Sequence, residues 1–257
     1  MKEFLDQIKS FSPKRLALLA AELKENLDRV QAAAREPIAI VGIGCRFPGA
    51  DGPEAYWKFL KEGRDGIRDV PSDRWSIDEY FDPDPDAPGK IATRYGDFLE
   101  QISAFDANFF GIAPREALNM DPQQRLLLEV GWEALEHAGI AASKLATKRV
   151  GVFVGICNND YLQLLLTRGE KAIDAYLASG NALSVAAGRL SYVLGFQGPS
   201  MSIDTSCSAS LVAIHAACQS LRTGESGLAI GPHLHYEVLL NGVPRNPLNY
   251  LDGAIPE

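Results

Sequence analysis

Cys207 has the residue type and the setting for covalent chemistry. Before it, Met201-Ser-Ile-Asp204 alternates apolar and polar residues as a strand does; after it, Leu211, Ile214, Cys218 and Leu221 recur three or four residues apart, as on one face of a helix. The spacing predicts a strand-to-helix elbow with Cys207 in the turn. The first turn of a helix offers backbone N–H groups without intrahelical partners and the positive end of the helix dipole, and both favour a thiolate over a thiol. A thiolate attacks acyl carbons, and the same N–H groups can receive the oxyanion of a tetrahedral intermediate. Ser206, Ser208, Ala209 and Ser210 are small and leave room for an acyl chain. The competing reading is a packed core thiol, which small neighbours also suit.

Other groupings are weaker. His233 and His235 fall on one face of a strand, a spacing that suits a metal, but a closed or catalytic zinc site needs further ligands. The acidic, proline-rich tract 82–89 lacks the ligand spacing of a calcium loop and reads as a solvated surface loop. Gly42-Ile-Gly44 has no third glycine, and the following Arg46-Phe-Pro-Gly49 cannot open a helix, which excludes a dinucleotide fingerprint.

The elements that must position Cys207 are legible in order. Ser12-Pro13 starts a helix in which Leu16, Ala20, Leu23, Leu27, Val30 and Ala34 form the seam of a short coiled coil, so residues 1–35 are expected to be a coiled-coil segment, or else a helix packed on its own domain. Residues 38–45 read as a buried strand. Asp121-Pro-Gln-Gln124 is a helix start, with Asp121 capping and Gln124 placed to reach back. That helix is expected over 122–137, with Leu126, Leu127, Val130 and Leu135 buried and His137 complementing its C-terminal dipole. Residues 150–157 form a second buried strand with Cys157 as core or pocket wall, and 181–195 a helix whose small residues permit close packing.

Of the 257 residues, 46% are hydrophobic and 23% charged, the profile of a globular chain, and the formal charge of -8 argues against a nucleic-acid binder. Four scattered cysteines make no disulfide framework and no metal pair. With no secretory segment and no run of about twenty apolar residues, the expected location is cytoplasmic, without membrane insertion.

Segment 198–225, GPSMSIDTSCSASLVAIHAACQSLRTGE, closely resembles the active-site region of the ketosynthase (beta-ketoacyl synthase) domains of modular polyketide synthases. EPIAIVGIGCRFPG (36–49), PSDRW (71–75), FDANFFGIAPREA (105–117) and MDPQQRLLLEVGWEALEHAG (120–139) extend the resemblance over residues 36–226. It implies an α/β, thiolase-like N-terminal half, a layered sheet covered by helices, with Cys207 as the acyl-accepting nucleophile. It also implies decarboxylative Claisen condensation as the full reaction and a phosphopantetheine arm supplied by an acyl carrier protein, with no cofactor bound by this chain. In that family two catalytic histidines come from a second half. Neither His137 nor His215 has such surroundings, and His215 is about 12 Å along the helix from Cys207. An incomplete catalyst is therefore expected, or alternatively a non-catalytic dimerisation or assembly module that pairs with itself or an upstream synthase module through 1–35.

Residues 227–257 resemble something else. GPHLHYEV (231–238), Asn241-Gly242 and NPLNY (246–250) are similar to the C-terminal end of lysostaphin-type zinc endopeptidases, where the second histidine binds zinc and the first assists catalysis. That family also needs a His-x-x-x-Asp element, and neither His137 nor His215 supplies one, since Ala141 and Gln219 stand four residues on. The expectation is a chimeric or truncated chain, joined between Glu225 and Gly231, with a foreign β tail.

Overall fold

The computed structural model describes residues 11–35, 37–170, 173–230, 238–240 and 243–245. Helix α1 (Pro13–Arg35) starts where Ser12 and Pro13 place it, with the Arg15 N–H donating to Ser12 Oγ at 3.4 Å. Strands β1 (Arg46–Phe47) and β2 (Ala50–Asp51) pair antiparallel across Pro48-Gly49 and lead into α2 (Pro53–Lys61). Then come β3 (Arg68–Asp69), α3 (Ile77–Tyr80) and β4 (Tyr95–Gly96), with β3 and β4 paired antiparallel. The acidic tract between α3 and β4 is a mostly exposed loop, as expected, in which Asp82 and Asp84 side chains accept from the amides two residues on.

Helices α4 (Pro114–Asn119), α5 (Pro122–His137) and α6 (Ala142–Leu145) precede the central strand β5 (Val150–Gly155). The crossover to β6 (Ser200–Ile203) is made by α7 (Asp160–Leu166), α8 (Ala175–Asn181) and α9 (Leu183–Leu194). A single 3₁₀ turn, Ser206–Ser208, opens α10 (Ala209–Thr223), and β7 (Leu228–Ile230) follows. These three strands form one parallel sheet in the order β6-β5-β7. Beyond it β8 (Val238–Leu240) and β9 (Val243–Arg245) make a separate antiparallel pair.

Strand β5 is buried on both faces, which is why its sequence is continuously apolar. Val150, Val152, Val154 and Ile156 alternate onto the core with Leu128 and Leu135 of α5 and Ala186, Ala187, Leu190 and Leu194 of α9. Helices α5 and α9 approach closely at Gly131, where a β-carbon would lie 3.2 Å from Leu190 Cδ1. The other face of β5 carries α10.

Two expectations are corrected by packing. Residues 38–45 form no sheet strand, and Ile40, Val41 and Ile43 are exposed. Both edges of β5 are already taken by β6 and β7, and the run lies instead along α5. Its glycines permit this: a β-carbon at Gly42 would collide with the Ala134 carbonyl and one at Gly44 would lie 2.5 Å from the Val130 carbonyl. Residues buried on α5 are Gln124, Arg125, Leu128, Gly131 and Leu135 rather than Leu126, Leu127 and Val130. The face is set by α9 and by polar groups that Arg125 and Gln124 satisfy inside. On α10, Ala209, Ser210, Ala213 and Ser220 face the sheet, while Leu211 and Ile214 are 54% and 46% exposed. Small residues win that face because Gly155 brings the helix backbone too close to the strand for anything larger.

Candidate active site

The elbow predicted from sequence is formed. Strand β6 ends at Ile203, and Cys207 lies in the 3₁₀ turn that leads directly into α10. The turn is shaped by its own side chains: Asp204 Oδ1 accepts from the Ser206 N–H at 3.0 Å, and Ser206 takes a left-handed backbone, φ 55°, that a residue with a β-carbon rarely adopts. Ser208 Oγ donates to the Thr205 carbonyl at 2.9 Å and lies 2.9 Å from Thr205 Oγ1. Asp204, Thr205 and Ser206 were not singled out from sequence as shaping residues; an aspartate two residues before a serine is the signal that was present.

Cys207 is exposed, which removes the packed-thiol reading. Ser206 Oγ lies 3.9 Å from Cys207 Sγ. The bonds of the turn run from the Ser208 N–H to Thr205 O and from the Ala209 N–H to Ser206 O, and they leave the Cys207 N–H unused among the described residues. The turn is held against the sheet at Gly155, where a β-carbon would lie 2.7 Å from the Ser210 nitrogen and 2.8 Å from the Ala209 carbonyl carbon.

Cys157 is also exposed rather than core, one residue past the bond from the Ile156 N–H to Ile203 O. Cys45 and Cys218 are half-buried; burial pushes the Cys45 thiol up, with neighbouring Arg46 partly opposing. His137 is remote from the elbow in role as well as sequence: its Nδ1 accepts from the Ile43 N–H at 3.3 Å and so ties the run 38–45 to α5. His215 is exposed on α10 two turns beyond Cys207. His233 and His235 lie outside the described residues, as do 1–10, and among the described residues no group of three or more His, Cys, Asp or Glu is placed to hold a metal. No helix among them is long and apolar enough to cross a membrane.

The scaffold around the elbow depends on a residue that sequence reading passed over. Arg189 of α9 donates to Glu116 Oε1 of α4 at 2.5 Å, to Gln124 Oε1 of α5 at 2.8 Å and to the Ser179 carbonyl of α8 at 3.1 Å. Gln124 is therefore spent on Arg189 rather than reaching back to the cap; its amide lies 3.4 Å from the carbonyls of Ser179 and Ala182. Asp121 does cap α5, accepting from the Gln123 N–H at 2.8 Å.

Comparison with known proteins bears on the same region. Residues 35–231 match the family described as "Beta-ketoacyl synthase, N-terminal domain". Over 210 residues the chain is 53% identical to one component of the phenolphthiocerol/phthiocerol polyketide synthase of Mycobacterium tuberculosis, and over 231 residues it is 49% identical to another component of that synthase. These alignments cover 81% and 90% of this chain but 14% and 13% of the relatives, so the chain spans about a seventh of their length. Among solved structures, an oxazolomycin ketosynthase domain from Streptomyces albus superposes with a TM-score of 0.70 at 37% identity, covering 84% of this chain and 37% of that one. The ketosynthase from module 6 of the bacillaene synthase of Bacillus subtilis superposes with a TM-score of 0.65 at 39% identity, covering 77% and 32%. The architecture is thus the thiolase-like ketosynthase one. The matched family ends at residue 231, and the tail resemblance to zinc endopeptidases finds no support in these comparisons. The chain belongs to the beta-ketoacyl synthase family, carrying the N-terminal domain of a modular polyketide synthase ketosynthase.

Proposed function

We propose that this chain is the acyl-accepting part of a ketosynthase, with Cys207 as the nucleophile. The observation that carries the reading is an exposed thiol in the turn that opens α10, inside the matched family region. The Cys207 thiolate attacks the carbonyl of an acyl thioester on the phosphopantetheine arm of an acyl carrier protein. The oxyanion that forms is received by the unused Cys207 N–H, and the carrier thiol leaves, so that one thioester is exchanged for another. The serines around the turn supply a small, polar rim rather than a base.

Condensation itself requires groups that promote decarboxylation of the extender and steady its carbanion. His137 is engaged with the Ile43 amide, and His215 is exposed about two turns along α10 from Cys207, so neither is proposed for that work. The chain is therefore proposed to load but not to elongate. Incubation with an acyl-loaded carrier protein, followed by intact-mass analysis, is expected to show one acyl group on the wild-type chain and none on Cys207→Ser. Loading that survives that substitution, or elongated product when a malonyl-loaded carrier is added, would refute the assignment.

A second reading is favoured by one observation: Leu16, Leu23 and Leu27 of the α1 seam are exposed along with Ala20. A helix of that pattern is an assembly element, pairing with a second copy or an upstream synthase module without turnover. Light scattering of the chain with and without residues 1–35 tests it, since an unchanged mass removes the helix from assembly.

A further inference from the structure

The alternation of β5 has a consequence at its C-terminal end. Val150, Val152, Val154 and Ile156 point into the core. The intervening positions point at α10: Gly151 toward the Ser226 hydroxyl near the helix's far end and Gly155 toward Ala209 and Ser210 at its start. Strand β5 ends at Gly155, and Cys157 follows two residues later at the same end of the sheet. The parallel register pairs Gly155 with Ile203, and the Ile156 N–H still bonds Ile203 O at 3.1 Å, so the strands have not diverged one residue before Cys157. From Ile203 the chain reaches the Ser206–Ser208 turn within three residues, and the turn joins the helix start that Gly155 touches. Both Cys157 and Cys207 are exposed at this end of the sheet, whereas Cys45 lies in the run along α5 and Cys218 is about 16 Å along α10 from Cys207.

We propose that Cys157 and Cys207 form a reversible disulfide when the protein meets a hydroperoxide, making Cys157 the resolving thiol of the site. The Cys207 thiolate attacks one peroxide oxygen and displaces hydroxide, which leaves a sulfenic acid. The Cys157 sulfur then attacks the Cys207 sulfur, the S–S bond forms, and the sulfenic oxygen departs as water. In sum two thiols lose two hydrogens and one hydrogen peroxide becomes two waters. The bridge holds the nucleophile out of reach of thioesters and protects it from irreversible oxidation, and a small dithiol restores it. The consequence for acyl loading rests on the function proposed above; the bridge itself does not.

The test uses the full chain and hydrogen peroxide, with no acyl donor. Free thiols are blocked with iodoacetamide and the protein is mapped by non-reducing peptide mass spectrometry. The expected result is a linked peptide pair containing residues 157 and 207, lighter by two hydrogens than the separate peptides, abolished by dithiothreitol and retained in Cys218→Ser. In Cys157→Ser, peroxide is expected to carry Cys207 on to sulfinic and sulfonic acids that dithiothreitol does not reverse. Bridges to Cys45, to Cys218 or between chains, or acids at Cys207 in the wild type without any bridge, would overturn the proposal. The wild-type map decides the matter even if a variant fails to fold. A mapped bridge in a chain that never accepts an acyl group would sink the loading function alone.

Discussion

Gly155 and Ser210 are in contact through backbone alone: a β-carbon added at Gly155 would lie 2.7 Å from the Ser210 nitrogen. This contact sets the height of α10 above the sheet and with it the position of the turn that holds Cys207, three residues before Ser210. Gly155→Ala therefore must push the helix start away. We expect a loss of about 1–3 kcal/mol in stability by urea unfolding and a larger proportional loss in the rate of acyl loading, measured by intact mass. A loading rate unchanged beside a stability loss would show that the contact serves only packing.

Arg189 is expected to be the costliest substitution away from the elbow. Its guanidinium satisfies Glu116, Gln124 and the Ser179 carbonyl at once, so Arg189→Met takes that donor from the Glu116 carboxylate and the buried Gln124 oxygen and leaves the Ser179 carbonyl only the Gln124 amide at 3.4 Å. The expected cost is on the order of 3 kcal/mol. Arg189→Lys, lacking the planar fork, should recover only part of it. A double-mutant cycle with Glu116→Gln checks the assignment; additive effects would contradict a shared network.

Asp121 predicts a pH dependence. Burial raises its carboxyl above the usual value, and the backbone and side chain of Gln123 with Arg125 oppose this only in part. The folded chain thus holds that proton more tightly than the unfolded one. Its contribution is greatest below the unfolded value and declines as pH rises through the folded value. Asp121→Asn keeps an oxygen for the Gln123 N–H and should flatten that decline, while Asp121→Ala should cost about 1 kcal/mol by loss of the cap. Urea unfolding across the acidic range distinguishes them; parallel profiles for wild type and Asp121→Asn would exclude Asp121 as the titrating group.

Leu211, Val212 and Ile214 present an apolar outer face on α10. Such a face promotes self-association when nothing covers it. Leu211→Lys with Ile214→Lys is expected to change stability by no more than about 0.5 kcal/mol per site while lowering aggregation and dye binding in solution. A large loss of stability would mean that these side chains are structural within this chain.

The elbow itself was legible because it depends on local chemistry: an alternating strand, turn-forming small residues and a helical period place Cys207 regardless of what surrounds it. The same holds for α5, whose Asp121-Pro122 start and His137 end follow from capping and proline geometry. The family motifs extended this to the thiolase-like class, while the tail histidines fall outside what the structure describes.

Which face of each element turns inward was decided only in three dimensions. Residues 38–45 have the composition of a core strand, yet β6 and β7 hold both edges of β5, and Gly42 and Gly44 let the run lie on α5 instead. Leu211 and Ile214 carry the helical period but Gly155 admits only the small face of α10. Local pattern determines that an element forms and where it ends; the space left by its neighbours determines which of its sides is buried, and no window of sequence contains that space.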